Sequence, residues 1–194
     1  AKMERKPRIT WNVGGMLPGK GKLAEEVVVI GAHFDHVGYG YTGGSRTGEL
    51  GVIHPGADDN ASGTSGMLLC ADLLSRYYKA PPADAEARSV LFLGFSAEEM
   101  GLIGSRHFVK NSPIDAAKLY AMLNMDMIGR YHTTKSAANE TDGDENADES
   151  REFDPEELTE HGGGVELGGV GTAEGLRGIV SSVFEPTGLR PVSY

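Results

Sequence analysis

Three short apolar runs, each closed by glycine or a polar residue, set the rhythm of the chain. Val27–Ala32 (VVVIGA), Val90–Phe95 (VLFLGF) and Leu119–Met125 (LYAMLNM) are apolar at successive rather than alternate positions. That pattern predicts strands buried on both faces, as in a sheet covered by helices on each side. Between the first two runs, NASGTSGMLLCADLLSRYYK places Met67, Ala71, Leu74 and Tyr78 at spacings of four, three and four, which marks one face of a helix. EEMGLIGSRHFVKN, after Phe95, fits a second helix. Leu176, Ile179, Val180, Val183 and Phe184 mark a third, with Thr172 as its N-cap, and Leu189–Val192 opens another strand. Strands and helices in alternation predict an α/β fold, a three-layer sandwich with a mixed, mostly parallel sheet.

Ligands of such a sheet bind beyond the carboxyl ends of its strands, and the polar residues gather there. His33-Phe34-Asp35 follows the first run, Ser96-Ala97-Glu98-Glu99 the second, and Asp126 the third. The loop HPGADDNASG carries Asp58-Asp59-Asn60 into the first helix. Singly, most of these have ordinary explanations: acids favour a helix start, and aspartates cap helices. Asp126, between two methionines, is costly on its own if buried. Four or more carboxylates at one edge would repel one another unless a cation held them. Imidazole together with carboxylate oxygens suits zinc or a similar divalent ion, with Asp35 holding the His33 ring from behind.

Length and charge narrow the picture. The 194 residues suffice for one domain of ordinary size, so 1–194 is read as a single domain. The net charge of −10 is local. Residues 136–160 hold eleven acids and one base, which leaves 17 acids and 17 bases elsewhere. This aromatic-poor stretch is read as an acidic flexible insert at the surface. A neutral body with one acidic loop argues against nucleic-acid binding, which needs a basic face. No apolar run approaches the ~18 residues that span a bilayer, so no membrane segment is expected. Cys70 is the single cysteine, so no internal disulfide can form, and its helical neighbours predict a small core residue. AKMERKPRIT does not have the form of a signal peptide.

GAHFDHVG (31–38), GADDNASG (56–63), FSAEEMGLIGS (95–105) and NMDMIGR (124–130) resemble, in order and separation, the motifs of the co-catalytic dizinc aminopeptidases. These form peptidase family M28, of the clan MH zinc exopeptidases. ELGGVGTAEG (166–175) is similar to a stretch seen in members of that group. The resemblance implies a phosphorylase/hydrolase-like zinc-peptidase fold, a peptide substrate and two zinc ions per complete domain, with cobalt or manganese as alternatives. Position by position it implies that His33 and Asp126 hold one ion and Glu99 the other, with Asp59 bridging both. Glu98 would be the general base, and Asp35 would brace His33. Asp58 and Asn60 would support the turn, and the Asp59–Asn60 peptide would be cis. A secreted or periplasmic location is implied, with the cytoplasm left open.

The family pattern has a fifth ligand, a histidine after an aspartate further along the chain. His36, His54, His107, His132 and His161 lie elsewhere and are read as surface or packing histidines. The expectation is therefore a partial chain that stops at Tyr194 before that ligand and before the last strand. The His33–Asp59–Asp126 site would be complete, the Glu99–Asp59 site one ligand short, and peptidase activity of the piece weak or absent. Two alternatives stay open. One is a related zinc exopeptidase or glutaminyl-cyclase-like enzyme, which the GADDNASG loop disfavours. The other is a non-catalytic binding domain with a lapsed site, against which the intact Glu98 counts.

Overall fold

The computed structural model of the protein describes residues 8–40, 51–80, 85–129, 164–167, 182 and 190–193. They belong to two units, Ala1–Gly129 and Arg130–Tyr194. In the first unit, strands β1 (Val13–Leu17), β2 (Val27–His33), β3 (Ser89–Phe95) and β4 (Leu119–Asn124) form one sheet in the order β1-β3-β2-β4. β2 runs parallel to both β3 and β4, with His33 opposite Phe95 and Gly31 opposite Asn124. β1 is antiparallel to β3. The sheet is therefore mixed and mostly parallel, and the fold is α/β.

The two central strands are buried along nearly their whole length, as successive apolar positions require. Their two faces feed two cores. On one, Val27, Val29, Leu91, Leu93 and Phe95 pack with Phe108 of helix α2 (Ile103–Lys110), and the Phe95 and Phe108 rings meet edge to face at 6.3 Å. On the other, Ile30, Ala32 and Val90 pack with Met67, Cys70, Leu74 and Tyr78 of helix α1 (Gly63–Lys79). One helix on each face makes three layers. The stripe of α1 against the sheet is thus Met67, Cys70, Leu74 and Tyr78, spaced three, four and four, with half-buried Cys70 taking the place expected for Ala71.

Two expectations need correction, and one strand was not foreseen. β4 was expected as a buried strand, yet its residues are largely exposed. It pairs only with β2 among the described residues, which leaves it at the sheet edge. α2 was expected from Glu98 but starts at Ile103, because Ala97, Leu102 and Gly101 take positive φ and coil residues 97–102 into a turn. β1 was not foreseen: VGGML has neither alternation nor an unbroken apolar run. In the second unit, β5 (Gly164–Leu167) pairs in parallel with β6 (Arg190–Ser193), the latter where a strand was expected. The helix expected over 176–184, its cap Thr172 and the acidic insert 136–160 lie outside the described residues, apart from position 182.

Candidate metal centre

Because β2, β3 and β4 are parallel, their carboxyl ends share one edge. His33 closes β2, Glu98 and Glu99 follow the end of β3 at Phe95, and Asp126 follows the end of β4 at Asn124. Asp59 arrives from the turn before α1, and the Asp59–Asn60 peptide is cis. Asn60, 2% exposed, clamps this turn to the segment carrying Asp126. Its Nδ2 donates to the Met125 carbonyl (3.0 Å), and its Oδ1 accepts from Gly63 N (3.0 Å) and Met127 N (3.3 Å). Asp58 fastens the same two segments from the other side, accepting from Gly129 N at 2.8 Å and from Ser62 Oγ. Asp58 and Asn60 are thus engaged in holding the turn, while Asp59 faces inward.

His33 is 3% exposed, and its Nδ1 lies 2.9 Å from the main-chain carbonyl of Asp35. A carbonyl can only accept, so Nδ1 carries the proton and Nε2 of the neutral ring presents a bare lone pair. That lone pair faces Asp59 Oδ1 at 3.2 Å, Asp126 Oδ1 at 3.5 Å and Glu98 Oε2 at 4.0 Å. Asp59 Oδ1 is buried and makes no hydrogen bond among the described residues. A lone pair aimed at carboxylate oxygens is repulsive unless a proton or a metal cation lies between them. Ligand atoms about 2.05 Å from a tetrahedral zinc are roughly 3.3 Å apart, and the imidazole–carboxylate distances bracket that spacing. The donor set therefore fits a divalent cation.

The same electrostatics shift the protonation of the metal-free protein. Burial disfavours the charged His33 ring, but Asp126, the Asp35 carbonyl, Glu98 and Asp59 outweigh it, so its pKa is raised above 6.5. Glu98 is also raised above the ordinary 4.5. Burial is the main cause, opposed by His33 and assisted by the charges of Glu99, Asp126 and Asp35.

A family model described as Peptidase family M28 matches residues 12–156, well over half of the chain. The chain belongs to peptidase family M28. It is 35% identical over 119 residues to the Bacillus subtilis (strain 168) protein named Aminopeptidase YwaD, covering 61% of this chain and 22% of that protein. A Pseudomonas aeruginosa (strain UCBPP-PA14) protein named Aminopeptidase is 40% identical over 104 residues, 53% of this chain and 16% of its own length. A Probable leucine aminopeptidase of Arthroderma benhamiae is 33% identical over 122 residues, 63% of this chain and 31% of its own length. The chain thus spans less than a third of the length of these three relatives.

Within these M28 motifs, two residues behave in ways the sequence did not reveal. The Asp35 carboxylate lies 3.9 Å from His33 Nδ1 and accepts instead from the backbone N–H groups of Glu98 (3.0 Å) and Glu99 (3.3 Å). Asp35 therefore holds the histidine with its main chain and the Glu-Glu turn with its side chain. His36, read from the sequence as a surface or packing histidine, places Nδ1 2.8 Å from Glu99 Oε1 and 3.9 Å from Asp59 Oδ1. The available signal was a second imidazole in His-Phe-Asp-His, three residues past the first. His33, Asp59 and Asp126 form one candidate cation group, and His36, Asp59 and Glu99 form another.

Proposed function

We propose that this chain carries the active site of a zinc-dependent aminopeptidase that hydrolyses N-terminal peptide bonds, with Glu98 as general base. The observation that carries the reading is the Nε2 lone pair of His33 directed at Asp59 and Asp126, with the turn of Asp59 tied by Asn60 to the segment that bears Asp126. His33, Asp59 and Asp126 would hold one ion, and Asp59 and Glu99 would contribute to a second; cobalt or manganese suits the same donors. Bound divalent cations would supply Lewis acidity to an attacking water and to the scissile carbonyl.

The chain's own residues supply the proton handling and the placement. Burial has already raised the proton affinity of Glu98, which matches a carboxylate that accepts a proton from water and returns it to the leaving amine. Asp35 fixes the Glu98 backbone, and Glu98 Oε2 lies 4.0 Å from His33 Nε2. A cavity of about 220 Å³ opens beside these groups and is walled by Phe95, Leu102 and Met122, apolar surface on which a peptide side chain can rest. The preference for a free amino terminus is drawn from the relatives' names and from the acids around the centre.

Hydrolysis of leucyl-p-nitroanilide by the zinc-loaded protein tests this reading. Glu98→Gln should lower kcat by at least about 10²-fold while zinc content is unchanged. Wild-type turnover in that variant would remove Glu98 from the mechanism. Zinc-loaded protein inert toward all unblocked aminoacyl substrates would favour a binding domain instead.

A further inference from the structure

We propose that Asn12 is a positioning residue for Glu98, its side-chain amide closing the base of the turn that carries Glu98. This rests on the reading of Glu98 as general base. β1 runs antiparallel to β3 with Val13 opposite Gly94, so the residues just before β1 lie against the turn that follows β3. There the Ser96 N–H donates to Asn12 Oδ1 at 3.1 Å, and Asn12 Nδ2 donates to the Gly104 carbonyl at 2.8 Å. One amide thus joins the two ends of a segment whose interior holds Glu98 and Glu99. Thr10 adds a second tie, its Oγ1 lying 2.5 Å from Oγ of Ser96, itself 5% exposed. The join is close-fitting. A methyl group on Gly104 would collide with the Ser96 carbonyl and with Asn12 Oδ1.

The turn needs such a tie. Ala97 and Leu102 take positive φ, a region that non-glycine residues keep only where their surroundings impose it. Inside the turn, Gly101 N and Leu102 N donate to the Glu98 carbonyl, Ile103 N to that of Ala97, and Gly104 N to that of Ser96. These bonds set its shape. Two side chains from outside then anchor it: the Asp35 carboxylate, which accepts from the Glu98 and Glu99 N–H groups, and the Asn12 amide at the base. Asp35 grips two adjacent N–H groups, and Asn12 holds the chain on both sides of them. A tie that only fastens α2 to the sheet is the competing account, but α2 already packs there through Phe108. The bonds of Asn12 fall instead two residues before Glu98 and on the opening turn of α2. For a proton-accepting carboxylate, placement decides rate, and a shift of about 1 Å costs on the order of 10²-fold.

A double-mutant cycle between Asn12→Ala and Glu98→Gln separates the two roles. At saturating zinc, and well below the melting temperature of each variant, Asn12→Ala should lower kcat for leucyl-p-nitroanilide by about 10- to 100-fold with KM unchanged. In the Glu98→Gln background the same substitution should cause no further loss, because the group it positions is gone. In the zinc-free protein, Asn12→Ala should shift the ¹H–¹⁵N amide signals of Glu98 and Glu99 and leave those of Val28 and Val29, at the amino end of β2, in place. Asn12→Asp keeps the acceptor for Ser96 N and replaces the donor toward the Gly104 carbonyl with an oxygen. It carries the same measurements if Asn12→Ala does not fold, as judged by far-UV circular dichroism. A lower melting temperature with kcat intact would make Asn12 a fastening for α2 and overturn the proposal. So would equal losses in both backgrounds, a rise in KM alone, or unmoved Glu98 and Glu99 signals. Those outcomes leave Glu98 as the base wherever Glu98→Gln is inactive. Wild-type protein without turnover, or Glu98→Gln with full turnover, would remove the base assignment and this proposal with it.

Discussion

His33 Nε2 is the atom on which the charges of the site converge, and its surroundings give the metal-free protein a definite pH response. Its folded pKa lies above 6.5, so protonated His33 contributes stability that is fully present below 6.5 and is lost as pH rises through the folded value. Glu98 has the same sign: its folded pKa is above 4.5, so the native state binds the extra proton and loses that stability as pH climbs. Zinc and the proton compete for the same lone pair, so zinc binding strengthens over the range in which the proton leaves. The gain in melting temperature on adding zinc should widen from about pH 6 to about pH 8. Differential scanning fluorimetry with and without chelator measures it, and a gain that is constant or shrinks over that range would contradict the assignment of Nε2. At this scale the sequence revealed which residue types meet, because each strand end shows its acid or imidazole directly. It did not reveal that Asp35 divides its work between carbonyl and carboxylate, or that His36 turns toward Glu99. Both depend on how the loops after β2 and β3 fold against each other.

The start of α1 couples packing to the site. A methyl group on Gly63 would run into Asn60 Oδ1 and the Met125 carbonyl, the two atoms that join the Asp59 turn to the segment bearing Asp126. Alanine gains about 1 kcal/mol of helix propensity over glycine, whereas overpacking against a buried site costs about 1–3 kcal/mol. The clash should win here because a main-chain carbonyl cannot swing aside. At Gly66 the added methyl meets only the ends of the Ile128 and Met125 side chains, which can move. Gly63→Ala should therefore lower the urea midpoint and weaken zinc binding, while Gly66→Ala should leave both nearly unchanged. A Gly63→Ala protein more stable than wild type would refute this coupling. Periodicity found α1, β2, β3 and β4 because each has a long apolar signal. It overextended α2 because a Glu-Glu start followed by glycine looks like an N-terminus, whereas positive φ at Ala97 and Leu102 makes a turn. It missed β1 because two glycines erase the pattern, although the strand is held by its pairing with β3.

Across the molecule, the described residues of Ala1–Gly129 contain all four motifs apart from the last residue of NMDMIGR, and the parallel strand order places their reactive side chains at one edge. Among the described residues no helix is long and apolar enough to cross a membrane. The sheet class and the convergent edge were legible because strand–helix alternation allows few topologies. The division at Gly129 was not, since the sequence around it has no break in hydrophobic pattern comparable to the acidic stretch at 136–160. The central claim is that His33, Asp59 and Asp126 share one cation, and anomalous diffraction at the zinc edge from crystals of the zinc-loaded protein tests it most directly. A peak about 2.0–2.2 Å from His33 Nε2 and from oxygens of both Asp59 and Asp126 is predicted. Crystals with zinc bound elsewhere and no peak among these three side chains would contradict it.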